Sequence, residues 1–197
     1  TVIGSCQPLI LLFIAGRIFG ERPRRYDWVL AVVAMGGVAI VMFGSTGVQG
    51  WSLSGDLLSI ATVVAWTLYF VFSKLSTRKI ESSQYTGATA LICALFATPF
   101  ALASGQLFNM PSGNAWIWLF ILSIGPGFTS HMLMNWALAH IPVWFGSTLT
   151  LAIPVTATVM AWVFLGEDVV ALQFLGMGIV LFALGFIVIG QSNTARR

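Results

Sequence analysis

Three series of polar and small side chains recur every three or four residues inside otherwise apolar runs, and they are where this sequence could do chemistry. Ser59, Thr62, Trp66, Tyr69 and Ser73 form the first; Ser123, Gly127, His131 and Asn135 the second; Ser147, Thr150, Pro154 and Thr158 the third. Such spacing puts each series on one face of a helix. Uncharged hydrogen-bonding groups beside aromatic rings suit an amphipathic small molecule, because an indole or phenol offers contact area with a polar tip. Trp66, Tyr69, Thr62, His131, Asn135 and Thr150 are therefore the candidate substrate-binding residues. The same pattern also serves close packing between membrane helices, so packing and cavity lining both stay open for each series. His131 is the one side chain well inside an apolar run that changes charge near neutral pH. A proton-coupling role stands beside the plainer reading of a neutral, hydrogen-bonded imidazole.

Catalytic chemistry has less to work with. Ser123, Ser130, Ser147, His131 and His140 offer hydroxyls and imidazoles, but no nucleophile motif surrounds the serines and no acid stands ready to orient either histidine. Cys6 and Cys93 have no metal-like spacing, so no metal site and no cofactor is expected. The chain does not read as an enzyme.

The elements that must hold these residues follow from composition. Apolar residues make up 58% of the 197, charged ones 8%, and mean hydropathy is +0.93. A water-soluble core has no room for so many apolar side chains, whereas bilayer spans need about 20 each. The fold class is an all-α integral membrane bundle. Seven spans are expected, near 1–20, 28–45, 56–73, 84–104, 115–139, 143–165 and 170–190, with Asp27 and Asp56 as helix caps. Pro8 and Pro154 should bend their spans, and Gly125-Pro126-Gly127 should interrupt the fifth; gating at these prolines is the sharper reading, packing the plainer one. Trp28, Trp51, Trp116, Trp118 and Trp144 fall at span ends, as an interfacial aromatic belt requires.

Lysine and arginine set an orientation. Arg22, Arg24 and Arg25 follow the first span, Lys74, Arg78 and Lys79 follow the third, and Arg196-Arg197 end the chain, while loops 46–55, 105–114 and 166–169 hold no basic residue. Every basic loop lies on one side, which the positive-inside rule makes cytoplasmic. Arg17 lies near the end of its span and can snorkel outward. The net charge of +3 is accounted for by this sidedness, so nucleic acid is not an expected partner.

An internal echo organises the rest. At an offset of 146 residues Pro8 falls on Pro154, Ala15 on Ala161, Gly20-Glu21 on Gly166-Glu167 and Gly44 on Gly190. Both stretches read as an apolar run containing a proline, a Gly-Glu stop and a second apolar run ending in glycine. Residues 51–197 then hold one complete five-span unit, and residues 1–50 the last two spans of an earlier copy. An odd number of spans turns one copy upside down relative to the other, as in many secondary transporters. The expectation is a ten-span protein of which this chain is a fragment lacking about 96 residues, the 146-residue offset less the 50 present. Glu21 and Glu167 follow a helix-ending glycine and read as structural, with a hinge or gate contact as the alternative.

The pattern Pro8…Gly20-Glu21…Gly44 and Pro154…Gly166-Glu167…Gly190 resembles the EamA-type transporters of the drug/metabolite transporter superfamily. The opening Gly55-Asp56-Leu57-Leu58 into Ala65-Trp66-Thr67-Leu68-Tyr69 is similar to the start of that family's second repeat. The resemblance implies two inverted five-helix repeats in the plasma membrane, moving small metabolites or amphipathic drugs, as an exporter, by alternating access. It implies a substrate site near the midplane between repeats. A small-molecule substrate and the lipid bilayer are the expected partners, and a homodimer is left open. A seven-span receptor and, more remotely, an intramembrane enzyme are the competing classes; no lysine lies in 170–190 for a retinal Schiff base.

Overall fold

Prolines, glycines and first-turn polar side chains decide where the helices begin and end. The computed structural model describes residues 3–44, 52–105 and 110–195. The α-helices are α1 (Gln7–Phe19), α2 (Arg25–Gly44), α3 (Leu53–Ser76), α4 (Ser82–Ala103), α5 (Ala115–Leu122), α6 (Ser130–His140), α7 (Val143–Leu149), α8 (Ile153–Met160) and α9 (Ala171–Ala195). The π-helical turn Ser123–Thr129 joins α5 to α6, and a 3₁₀ turn, Thr150–Ala152, joins α7 to α8. Among the described residues there is no strand. Among the described residues six helices are long and apolar enough to cross a bilayer: Arg25–Gly44, Leu53–Ser76, Ser82–Ala103, Ala115–His140, Val143–Leu165 and Ala171–Asn193. The first apolar helix, Gly4–Phe19, is shorter than a full span as described. Rings and branched side chains face outward along these helices, Leu95, Phe96 and Phe100 on α4 among them, as a lipid-facing surface demands.

Five expectations change. Asp27 is not the cap of α2 but sits three residues beyond it, its Oδ2 accepting the Arg24 N–H at 2.7 Å. Asp56 likewise lies inside the first turn of α3; Ser52 stands at the cap, its Oγ accepting the Gly55 N–H at 3.3 Å. The fifth span is not interrupted at Pro126. Widening one stretch to i→i+5 bonding accommodates a residue that lacks an N–H, so the helix runs on. Pro8 and Pro154 do not sit in the middle of uniform helices. Each is the second residue of an α-helix that follows a 3₁₀ turn, Gly4–Cys6 and Thr150–Ala152, where a first-turn N–H would have no intrahelical partner. Trp144 is buried rather than part of an interfacial belt, whereas Trp116 and Trp118 are exposed; Trp51 lies outside the described residues.

The chain divides into two compact units, Thr1–Tyr69 with Pro142–Arg197, and Phe70–Ile141. In the first, α2 and α9 lie side by side, and α1 lies against α7. The α2–α9 seam is glycine on glycine. A Cβ on Gly37 would stand 2.9 Å from the Gly176 carbonyl oxygen, and one on Gly176 would stand 2.7 Å from the Gly37 oxygen and 2.8 Å from the Val41 nitrogen. Gly44, farther along α2, meets Gln173 and Val170, earlier in α9 or before it, so the two helices run in opposite senses. In lipid, where apolar association has no hydrophobic drive, such backbone contact is what holds helices together.

The two stretches 146 residues apart take the same local form. Gly20 and Gly166 both end their helices in the left-handed region, φ 68° and 67°, which glycine alone adopts without strain. Glu21 N–H reaches the Ala15 oxygen at 3.4 Å, and Glu167 N–H the Ala161 oxygen at 3.3 Å. Asp27 caps the Arg24 N–H, and at the matching positions Gln173 Oε1 accepts the Val170 N–H at 3.0 Å. Buried positions match too: Asp27, Ala31, Ala34, Gly37, Val38 and Val41 fall on Gln173, Met177, Val180, Ala183, Leu184 and Ile187. The seam is reciprocal, for Gly44 meets Val170 while Gly190 meets the Arg24 guanidinium.

Candidate functional site

Helix α3 carries Thr62, Trp66 and Tyr69 on successive turns in the first unit. The rings of Trp66 and Tyr69 meet edge to face, centroids 5.3 Å apart at 82°, an arrangement that fixes both without burying them. Trp66 remains 42% exposed, and Thr62 one turn before it is exposed. Two buried neighbours, Val63 and Thr67, lie on the adjacent face of the helix and anchor it.

The hydroxyls look inward to their own helices. Thr62 donates to the Leu58 oxygen at 2.9 Å, Thr150 to Ser147 at 2.6 Å and Thr158 to Pro154 at 2.9 Å. Ser147, fully buried, donates to Trp144 at 2.9 Å. In an apolar medium a hydroxyl without a partner is costly, and the carbonyl one turn back is the nearest acceptor. The proton is engaged while the oxygen lone pairs stay available. Thr62 and Thr150 thus present acceptors, and a ligand with N–H or O–H groups complements them.

In the second unit His131 is half-buried, and Asn135 one turn later is completely buried. Asn135, expected on a lining face, instead ties three helices. Ser73 Oγ donates to its Oδ1 at 2.6 Å, its Nδ2 donates to Thr86 Oγ1 at 2.9 Å, and Thr86 passes its own proton to the Ser82 oxygen at 2.7 Å. α3, α4 and α6 are joined by one chain of buried bonds. Thr86 was not among the sequence candidates; its regular spacing from Ser82 and Thr89 on α4 was the available signal. The structure brings Thr62, Trp66, Tyr69 and Thr150 into one unit and His131 with Asn135 into the other.

Lys74 is the other residue that loop counting misplaces. It lies inside α3, nearly wholly buried, and its Nζ donates to the Ile141 oxygen just past the end of α6. A cation there offsets the negative end of the α6 dipole. All six carboxylates fall in first turns, at a cap or in connections. Glu21 does more than stop a helix. Both its oxygens accept the Val143 N–H, at 3.0 and 2.9 Å, so the turn after α1 caps the start of α7 from 122 residues away. Arg17 stacks over the Phe13 ring at 4.2 Å, its charge at the exposed side of α1.

Residues 53–189 match the model of the EamA-like transporter family. Among relatives, an uncharacterized transporter of Bacillus subtilis, YetK, is 24% identical over 185 residues, covering 91% of this chain and 56% of its own length. YwfM of the same organism, also an uncharacterized transporter, is 25% identical over 190 residues, covering 96% and 62%. The uncharacterized inner membrane transporter YedA of Escherichia coli is 21% identical over 192 residues, covering 96% and 61%. The chain therefore spans somewhat over half the length of these relatives. A solved crystal structure shares the fold with a TM-score of 0.75 at 21% identity, covering 95% of this chain and 65% of that one.

Proposed function

Since the chain belongs to the EamA-like transporter family, we propose that the protein of which it forms part is a secondary transporter, exporting small metabolites or amphipathic drugs across the plasma membrane by alternating access. Two inverted repeats, residues 1–50 closing the first and 51–197 forming the second, frame the passage. The observation that supports this reading most is the α2–α9 seam: antiparallel helices, matched in their caps and buried positions at one offset and meeting through reciprocal contacts. Such a seam is a pivot about which two copies of one bundle exchange roles.

In the first unit substrate lies against Thr150 and the Thr62–Trp66–Tyr69 face of α3; in the second, His131 is a further candidate contact and Asn135 holds its helices in place. The aromatic pair supplies area, and threonine lone pairs receive the substrate's donor groups. Pro8, Pro154 and Pro126 mark the 3₁₀ and π junctions where helices can change pitch. Basic loops and the C-terminal tail face the cytoplasm. Reconstituting the complete protein in vesicles and measuring counterflow across a metabolite panel tests this. Saturable flux that falls at least tenfold in Trp66→Ala supports it; flux that survives Trp66→Ala and His131→Ala together removes the site.

A further inference from the structure

A cavity of about 690 Å³ opens within the unit Phe70–Ile141, where the end of α3, the turn that follows it, the start of α4 and the last turns of α6 come together. None of the six candidate transport residues lines it. Arg78, Lys79 and Glu81 stand at its edge with His140, and Leu133 and Trp136, each more than half exposed, form an apolar wall. The ends of three spans lie at the depth of lipid headgroups, not of hydrocarbon.

The charges here are mixed. A guanidinium and an ammonium favour a phosphodiester, the first through paired N–H groups and the second as a compact charge. The Glu81 carboxylate, with Ser83 Oγ at 3.4 Å, favours a cation. A ligand bearing phosphate alone would set an anion against Glu81. His140 adds a directed group: its Nδ1 is 2.8 Å from the Trp136 carbonyl oxygen, which can only accept, so Nδ1 carries hydrogen. Nε2 is left to accept an N–H or, once protonated, to donate. The indole of Trp136 lies 4.8 Å from that imidazole and offers its exposed surface to hydrocarbon.

We propose that this cavity binds a phospholipid whose headgroup joins a phosphate to a primary ammonium, the phosphatidylethanolamine class. Arg78 and Lys79 take the phosphate, Glu81 takes the ammonium, and the first carbons of an acyl chain lie on Leu133 and Trp136. Binding here is independent of transport through the candidate site.

The test is lipid retention by the purified full-length protein from an equimolar micellar mixture of phosphatidylethanolamine, phosphatidylcholine and phosphatidylglycerol, read by native mass spectrometry. One charge-assisted hydrogen bond more or less is worth about tenfold in retention. Ethanolamine lipid should exceed choline lipid, which has no N–H, by about that factor. Arg78→Met with Lys79→Met should lower ethanolamine and glycerol lipids alike, whereas Glu81→Gln should abolish the preference for ethanolamine over glycerol lipid. These three side chains are exposed, so unchanged melting temperatures should accompany the losses. Equal retention of all three lipids, or indifference to both variants, overturns the proposal. Soluble phosphoethanolamine should compete only far above the lipid's own concentration; equal competition overturns the lipid assignment, since the apolar wall would then add nothing.

Discussion

Gly36 and Gly37 are adjacent on α2, and alanine at each should move stability in opposite directions. At Gly36 an added methyl meets nothing within 4 Å. There Gly36→Ala gains up to about 1 kcal/mol from lower chain entropy in the unfolded state and better helix propensity. At Gly37 the same methyl stands 2.8 Å from Val180 Cγ2, 2.9 Å from the Gly176 oxygen and 3.0 Å from the Val180 nitrogen. Val180 can turn its side chain, but the other two atoms are α9 backbone, so the helices must part along the seam. Overpacking costs about 1–3 kcal/mol, and a clash with backbone falls in the upper part of that range, about 2–3 kcal/mol. The propensity gain offsets part of that, leaving a net loss of about 1–2 kcal/mol. For a chain of this size 1 kcal/mol is about 2–4 °C in melting temperature. Tryptophan-fluorescence melting in one detergent should therefore place Gly37→Ala about 2–8 °C below the parent, with Gly36→Ala at or slightly above it. Gly176→Ala, blocked at 2.7 and 2.8 Å by backbone atoms of Gly37 and Val41, should resemble Gly37→Ala. The double variant should lose less than the sum, because the first methyl has already opened the gap the second enters. If Gly37→Ala melts with Gly36→Ala, the close seam does not exist and the reciprocal contacts go with it.

Glu21→Ala removes both acceptors from the Val143 N–H and should cost about 1–3 kcal/mol, while Glu21→Gln keeps an acceptor and should cost less. Hydrogen exchange at Val143 should accelerate in the alanine variant ahead of the rest of α7; unchanged protection counts against the cap. Asn135→Leu leaves Ser73 and Thr86 without their buried partner and should destabilise by about 1–3 kcal/mol, measured by the same melt; a neutral result means the three-helix tie carries no load. Lys74→Met strips the Ile141 oxygen of its donor, and Lys74→Arg, too bulky for a nearly closed position, should rescue poorly; full rescue by arginine indicates an open site.

Much of the fold was legible in the sequence because the solvent is the bilayer. Long uncharged runs have one stable form in lipid, the helix, so span positions followed from hydropathy alone. Helix ends at Gly20 and Gly166 followed from glycine before a scarce carboxylate, and both adopt the left-handed conformation. Cap identities did not follow. Asp27 and Ser52 use side chains at different offsets from the helix start, and hydropathy has no resolution at one residue. Lys74 reads as part of a loop because a charge near Arg78 and Lys79 looks solvated; its hydrogen-bond partner is a carbonyl 67 positions away.

The candidate residues show the same division. Periodicity alone placed Thr62, Trp66 and Tyr69 on one face of α3, since 3.6 residues per turn is a local property. The sequence likewise carried the 146-residue correspondence, because matching prolines, glycines and Gly-Glu stops are read along one chain. Whether a polar residue on a stripe meets a cavity or another helix depends on what lies opposite, and no local rule holds that information. So only tertiary structure could show Asn135 locked between Ser73 and Thr86, Glu21 reaching the start of α7, and Gly37 touching Gly176 in an antiparallel seam. Each depends on residues distant in sequence being brought within about 3 Å, the range over which hydrogen bonds and steric contact act.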